Sequence, residues 1–192
     1  MKVFLSTFFL SLGLLLQAHD LPLDYLYMQW ATGDGPYKRT HVKVAEVGVG
    51  KELYKRDPKS SWFFATLEGN WTGFFAVDKR YSAAKQTVHT FAANLNFRWI
   101  VPEDSEYLKK FAVRPWIQVG SGPVYFLSRH VAYSGNVLST NLQFGSQGGV
   151  GVRYGPGWHG ELGIFWKHYS NANIKYPNYG LDIVEFRAGY WL

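Results

Sequence analysis

Apolar and polar residues alternate with a period of two along much of the chain, as expected for strands with one apolar face. The clearest run lies between Trp62 and Val77. Its odd positions are apolar or small: Phe63, Ala65, Leu67, Gly69, Trp71, Gly73, Phe75 and Val77. Its central even positions are polar: Thr66, Glu68, Asn70 and Thr72. This run predicts a long strand with a continuous apolar face.

Similar alternation recurs in five later segments, at residues 88–101, 111–127, 142–154, 162–167 and 184–192. Two weaker candidates precede them, Tyr25 to Ala31 and His41 to Tyr54. In the second, Glu46, Gly48 and Gly50 interrupt the alternation and suggest a β-bulge. The pattern therefore predicts an all-β chain of eight strands.

The charges on the polar face favour a membrane barrel over a soluble ligand-binding barrel, whose apolar face would point inward. The polar face carries charges of both signs that can pair inside a narrow lumen: Glu68, Arg98, Arg114, Arg153, Glu161, Lys167, Glu185 and Arg187. The opposite face is nearly free of charge and includes Trp99, Trp166 and Tyr190, as the interfacial girdles of membrane barrels do. We therefore expect an eight-stranded antiparallel transmembrane β-barrel of the outer membrane. Side chains fill the lumen of so small a barrel, which argues against a transport channel.

The N-terminus has the layout of a secretory signal peptide. Lys2 precedes an apolar run from Val3 to Leu16, and Ala18 is the expected last residue before cleavage. A membrane anchor is the alternative, but a spanning helix needs about 20 apolar residues. We therefore expect a cleaved signal peptide at residues 1–18 and a single barrel domain at residues 19–192.

Composition narrows the chemistry further. The chain of 192 residues has no cysteine, which excludes disulfides, thiolate metal ligands and a cysteine nucleophile. Its formal charge is +6, yet its basic residues form no extended stripe, so we expect no nucleic-acid partner. The 20 glycines and the 18% of aromatic residues suit strands and tight turns.

One pair of residues points to catalysis. His168 and Ser170 are two positions apart on a predicted strand, so their side chains share a face, and an imidazole beside a hydroxyl is the minimum for a base-activated serine. Two unremarkable polar residues at an interfacial strand end are the alternative interpretation. The remaining histidines lack partners at metal-ligand spacing: His41, His89, His130 and His159.

Topology supplies an acid for this pair. With an even number of strands both termini are periplasmic, so strand seven ends on the extracellular side and strand eight begins there. Asp182 is the first residue of strand eight on the parity of the apolar face. Such an acid can orient the imidazole as the third member of a triad does. Glu185 is the competing carboxylate, but its parity directs it toward the lumen beside Arg187.

These residues resemble a signature of the PagL family of lipid A deacylases: His168-Tyr169-Ser170-Asn171-Ala172, Ile174-Lys175, Pro177-Asn178 and Gly180. The stretches Pro115 to Leu127 and Leu138 to Tyr154 also resemble the family's fifth and sixth strands. The resemblance implies an eight-stranded outer-membrane barrel that hydrolyses the ester-linked 3-O-acyl chain of lipid A, in lipopolysaccharide, without a metal or other cofactor.

Carried over by position, the resemblance makes Ser170 the nucleophile and His168 the general base. Asp182 stands where the family usually has Glu, which shortens the acid by one methylene. Asn171 and Asn178 are candidate oxyanion donors, and Lys175 is a candidate contact for lipid A phosphates. The site is expected to face the outer leaflet. The oligomeric state is left undecided between a monomer and a homodimer. The rival interpretations are a non-enzymatic barrel with a structural or adhesive role and another outer-leaflet lipid acyl hydrolase or transferase.

Overall fold

The strands of the barrel account for most of the chain that the computed structural model describes, namely residues 22–34, 40–53, 57, 59–78, 85–129, 138–176, 178 and 180–192. The predicted signal peptide, residues 1–18, lies outside these ranges. The elements are β1 (Tyr25–Asp34), β2 (Thr40–Glu52), β3 (Phe63–Asp78), β4 (Lys85–Ile100), α1 (Glu106–Phe111), β5 (Val113–Phe126), β6 (Leu142–Tyr154), β7 (Gly160–Ser170) and β8 (Leu181–Trp191). A short 3-10 turn, Pro156–Trp158, joins β6 to β7.

The eight strands form one closed antiparallel barrel in sequence order. Closure comes from β1 and β8, which pair from Tyr25 opposite Trp191 to Trp30 opposite Phe186. A backbone hydrogen bond from Leu192 to Asp24 continues this seam. The eight-stranded barrel predicted from alternation is thus confirmed, and each strand pairs with a neighbour on both sides over part of its length.

The apolar face of the strands points outward, as the membrane-barrel interpretation requires. Large exposed side chains cover the exterior of every strand, including Trp30, Val47, Leu67, Phe97, Ile117, Val150, Trp166 and Phe186. All eight charged residues of the predicted polar face are buried inside the barrel. A soluble barrel with an apolar interior is therefore the wrong interpretation. Within the described residues, no helix has the length and apolar character needed to cross a bilayer.

The barrel interior is a connected network of ion pairs and amide hydrogen bonds. Arg187 contacts Glu68 and Gln29, with Nη1 2.8 Å from Glu68 Oε1. Arg98 binds both Glu161 and the amide oxygen of Gln118. Because these side chains satisfy one another across the lumen, the interior is packed with protein atoms, as in other small barrels.

The bulge predicted in β2 is wrong. Residues of β2 pair one to one with β1 from Gly50 to His41 and with β3 from Glu52 to Thr40, without an extra residue. The glycines have a different cause: a Cβ on Gly50 would lie 2.0 Å from Tyr25 Cζ, and one on Gly48 would lie 2.3 Å from Tyr27 Cζ. Gly48 and Gly50 therefore make room for two tyrosine rings inside the lumen.

The predicted start of the fifth strand also needs correction. Phe111, assigned to that strand by alternation, is the last residue of α1, and β5 begins at Val113. Ser105 caps the helix by accepting a hydrogen bond from the backbone N–H of Tyr107 at 3.3 Å. Ala112 ends it in the left-handed conformation, with φ 53°.

Candidate active site

The candidate acid and base are direct partners in the sheet. His168, near the end of β7, lies opposite Asp182, the second residue of β8. His168 Nδ1 and Asp182 Oδ1 are 3.0 Å apart. An aspartate oxygen accepts, so Nδ1 carries the hydrogen and Nε2 is left with its lone pair, which is the tautomer a general base needs. The two side chains are 34% and 59% exposed, so both open onto the exterior of the barrel.

Ser170 is the last residue of β7 and projects from the same face as His168. It pairs with Phe144 of β6. Among the described residues, no hydrogen bond joins its hydroxyl to the imidazole. Two positions on a strand separate the Cα atoms by about 6.6 Å, and catalytic contacts are often longer in the absence of substrate than when substrate is bound.

Two neighbours confine the imidazole. Trp166, two positions before His168 on the same face, stacks on it with ring centroids 6.0 Å apart. Gly180 lies against the ring edge, because a Cβ at that position would be 2.7 Å from His168 Cε1. Asp182, Trp166 and Gly180 thus hold three sides of the ring. Gly180 belongs to the signature seen in the sequence, but its contact with His168 follows only from the three-dimensional structure.

The connection between β7 and β8 is held by the two candidate oxyanion residues. Asn171 is buried, and its side-chain N–H groups donate to Ser139 Oγ and to the carbonyl of Lys175. Asn178 Oδ1 accepts from the backbone N–H of Asn171 at 3.0 Å. Asn178 Nδ2 donates to Asn173 Oδ1 at 2.9 Å, which leaves one of its two hydrogens for another acceptor.

Lys175 is exposed at this connection, between Ile174 and Tyr176, whose side chains are also exposed. Its carbonyl accepts from Asn171 and from Ser139 Oγ. The backbone at Lys175 is therefore tied to the β5–β6 connection, while the residue is exposed to its surroundings. This geometry suits a cationic contact to a ligand outside the barrel.

The rival carboxylate, Glu185, lies inside the barrel, as its parity predicted. It is fully buried, 3.0 Å from Lys167 Nζ and 3.0 Å from Gln29 Nε2. The wall of the barrel therefore separates Glu185 from His168 and Ser170. Asp182 is the carboxylate that lies on the same side of the barrel wall as the imidazole of His168.

Two of the remaining histidines have structural surroundings. His89 stacks on Trp71, and His159 contacts the carbonyl of Trp191 and stacks on Tyr190. The side chains of His41 and His130 lie outside the described residues. Within the part of the chain that the structure describes, no cluster of three or more His, Asp or Glu side chains is arranged to hold a metal ion.

Comparison with known proteins points to one family. The family model described as lipid A 3-O-deacylase (PagL) matches residues 43–191. The lipid A deacylase PagL of Bordetella bronchiseptica is 33% identical over 94 residues, a match that covers 49% of this chain and 45% of that protein. This chain thus matches less than half of that relative's length. The crystal structure of the outer membrane enzyme PagL superposes with a TM-score of 0.56 and 19% identity, covering 85% of this chain and 98% of that one.

Proposed function

Because the chain belongs to the PagL family of lipid A 3-O-deacylases, we propose that it is an outer-membrane serine esterase that hydrolyses the 3-O-acyl ester of lipid A. The observation that carries this proposal is the His168–Asp182 pair, which is hydrogen-bonded on the exterior of the barrel two positions from Ser170. An imidazole oriented by a carboxylate beside a hydroxyl is the arrangement that makes serine nucleophilic.

In the proposed reaction, His168 Nε2 takes the proton of Ser170 as Oγ attacks the ester carbonyl carbon. The carbonyl electron pair moves to oxygen, and the resulting tetrahedral intermediate collapses and expels the sugar alkoxide, which receives the proton from the imidazolium. Water, deprotonated by His168, then hydrolyses the acyl-serine and releases a fatty acid. Asp182 orients the imidazole and stabilises the imidazolium through the contact to Nδ1.

The shorter acid in this chain suits the mechanism because of strand register. Asp182 lies directly opposite His168, and such pairs have Cβ atoms about 4.5–5.5 Å apart. At that separation an aspartate reaches Nδ1, as the 3.0 Å contact indicates. The aspartate at a position where the family usually has glutamate therefore does not argue against a functional triad.

An exterior site matches a substrate that is itself part of the membrane. Trp166, Val184 and Ile164 form exposed apolar surface on the barrel-centre side of the pair, so an acyl chain can lie along the barrel while its ester meets Ser170. We place the site in the outer leaflet, because an even-stranded barrel puts the β7–β8 connection on the extracellular side. Lys175 then lies at the level of the lipid phosphates. If it attracts them, Lys175→Ala should lower turnover most at low ionic strength.

The direct test is the mass spectrum of lipid A from cells that express the protein, compared with Ser170→Ala and His168→Ala variants at equal levels in the outer membrane. The wild-type protein should remove one ester-linked acyl chain, and both variants should leave it in place. Thr87→Ala, another exposed polar position on the exterior, should behave as the wild type.

The lipid A spectra, together with the free fatty acid released by the same cells, separate the rivals. A non-enzymatic barrel would leave lipid A unchanged in every strain, and an acyltransferase would move the chain to an acceptor without releasing free fatty acid. Full activity of the Ser170→Ala variant would refute the serine mechanism.

A further inference from the structure

The exterior of the barrel carries a row of four polar side chains that starts at the candidate active site. Strand register places Asp182 of β8 opposite His168 of β7, His168 opposite Ser146 of β6, and Ser146 opposite Ser121 of β5. Ser146 and Ser121 are both exposed, with buried or half-buried residues on either side in sequence, so their hydroxyls point outward. The next position in the row, on β4, is Leu95.

The two serines are polar residues beside an apolar part of the barrel exterior. The adjacent row on the barrel-centre side is apolar and consists of Val184, Trp166, Gly148 and Val119. No described residue makes a hydrogen bond to either serine hydroxyl. A polar group that faces hydrocarbon without a hydrogen-bond partner is unfavourable. Water or a polar group of a bound lipid must therefore satisfy these hydroxyls.

The row also descends into the apolar belt. Barrel strands tilt by about 35–45°, so a row perpendicular to them is inclined to the membrane plane. His168 is two residues from the β7–β8 end of its strand, Ser146 four residues from the corresponding end of β6, and Ser121 five from that of β5. The serines thus lead from the active site toward the middle of the barrel, which is the direction an acyl chain takes from its ester.

We propose that Ser146, with Ser121 beside it, binds a hydroxyl group on the acyl chain that is cleaved, close to the ester carbonyl, and so selects hydroxylated chains. The inference rests on the proposed function, which puts the ester at Ser170. Ser146 lies opposite His168 and diagonal to Ser170, and diagonal neighbours on one face are about 7–8 Å apart, so Ser146 is within reach of a substituent a few bonds from the carbonyl. Gly148, two positions from Ser146 on the barrel-centre side, leaves room for the acyl chain, since a Cβ there would meet only Gln118 O, at 4.0 Å.

The test compares two esters with the purified full chain in detergent micelles, p-nitrophenyl 3-hydroxydecanoate and p-nitrophenyl decanoate. One neutral hydrogen bond corresponds to about three- to tenfold in rate. Ser146→Ala should therefore lower kcat/KM for the hydroxylated ester about three- to tenfold and leave the plain ester unchanged. Ser121→Ala should do the same to a smaller extent, Ser146→Thr should keep the preference, and Thr87→Ala should alter neither rate.

The outcomes distinguish the subsite from the esterase itself. Equal losses on both esters, or no loss on either, would overturn the role of Ser146 while leaving the hydrolase intact. Failure of the wild-type protein to hydrolyse either ester, or full activity of Ser170→Ala, would refute the proposed function and with it the subsite. Heat-dependent mobility of each variant on gels reports whether its barrel has folded, so loss of fold is not mistaken for loss of selectivity.

Discussion

At the scale of single residues, the length of the acid is the most informative variable in the site. Asp182 already lies 3.0 Å from His168 Nδ1. Asp182→Glu would add a methylene between directly opposed positions, so the carboxylate would have to fold back to keep this contact. We expect Asp182→Glu to lower kcat, and Asp182→Asn to lower it more, by on the order of 10²–10⁴, because an amide no longer stabilises the imidazolium.

The measurement is the steady-state rate on a soluble acyl ester, with Glu185→Gln as the control carboxylate. Glu185 lies inside the barrel next to Lys167, so its replacement should leave the kcat of folded protein unchanged. A rise in kcat for Asp182→Glu would mean that the native contact is poorly formed during turnover. Loss only in Glu185→Gln would reverse the assignment of the acid.

Strand parity was sufficient to predict which way each of these side chains points. It assigned His168, Ser170 and Asp182 to the exterior and Glu185 to the lumen, and the structure has them so. Parity carries no information about distances across strands, which depend on register. The opposition of His168 and Asp182 and the contact of Gly180 with the imidazole could therefore be found only in the folded barrel.

At the scale of elements, the strands were easier to predict than what joins them. Alternation identified all eight strands because each has one face in the lumen and one outside it. It failed in β2, where glycines accommodate rings from β1, and at Phe111, where α1 happens to continue the apolar parity of β5. Both errors arise from contacts or caps that the period of a strand does not encode.

The β7–β8 connection combines two roles that a pair of variants can separate. Replacing either asparagine by aspartate removes the amide donor and keeps a side-chain oxygen, so Asn178 can still accept from the backbone of Asn171. Both side-chain hydrogens of Asn171 are bound to Ser139 and Lys175, so only Asn178 has one free for the oxyanion. Asn178→Asp should lower kcat by about 10²-fold or more, and Asn171→Asp should lower it less. Only Asn171→Asp should also speed tryptic cleavage after Lys175, because Asn171 fastens the carbonyl of that residue.

Unchanged kcat in one variant would remove that asparagine from the oxyanion hole. Faster cleavage in both variants, with parallel losses of rate, would instead indicate that the asparagines act only by ordering the connection. Ser139→Ala is the matched comparison, since Ser139 accepts from Asn171 and donates to Lys175 O without belonging to the candidate site.

At the scale of the whole molecule, the filled lumen explains why the candidate site lies on the exterior of the barrel. Charged and amide side chains occupy the interior and bind one another, so chemistry on a membrane lipid is confined to the outer surface. A polar residue on the exterior is unfavourable in hydrocarbon unless a partner satisfies it, and the row from Asp182 to Ser121 extends such residues from the candidate site into the apolar belt. Stability and catalysis therefore depend on different faces of the same strands.

This separation predicts that the interior ion pairs affect unfolding and not turnover. Arg187 binds Glu68 and Gln29 and stacks on Tyr27 and Phe165. Arg187→Met leaves Glu68 as a buried charge without its main partner, which should lower the free energy of unfolding by about 3–5 kcal/mol. Replacing both, as Arg187→Met with Glu68→Gln, should recover part of this loss, because no unpaired charge remains.

Urea unfolding in detergent micelles, followed by tryptophan fluorescence, measures these differences, with Lys51→Met as the exposed control. Lys51 is 3.3 Å from Asp24 at the opposite end of the barrel from the candidate site. An exposed pair of this kind contributes about 0–1 kcal/mol. If Arg187→Met were no more destabilising than Lys51→Met, the interior network would not hold the barrel together. If it lowered kcat in fully folded protein, the lumen would be coupled to the exterior site through the strands, and the two faces could not be treated as independent.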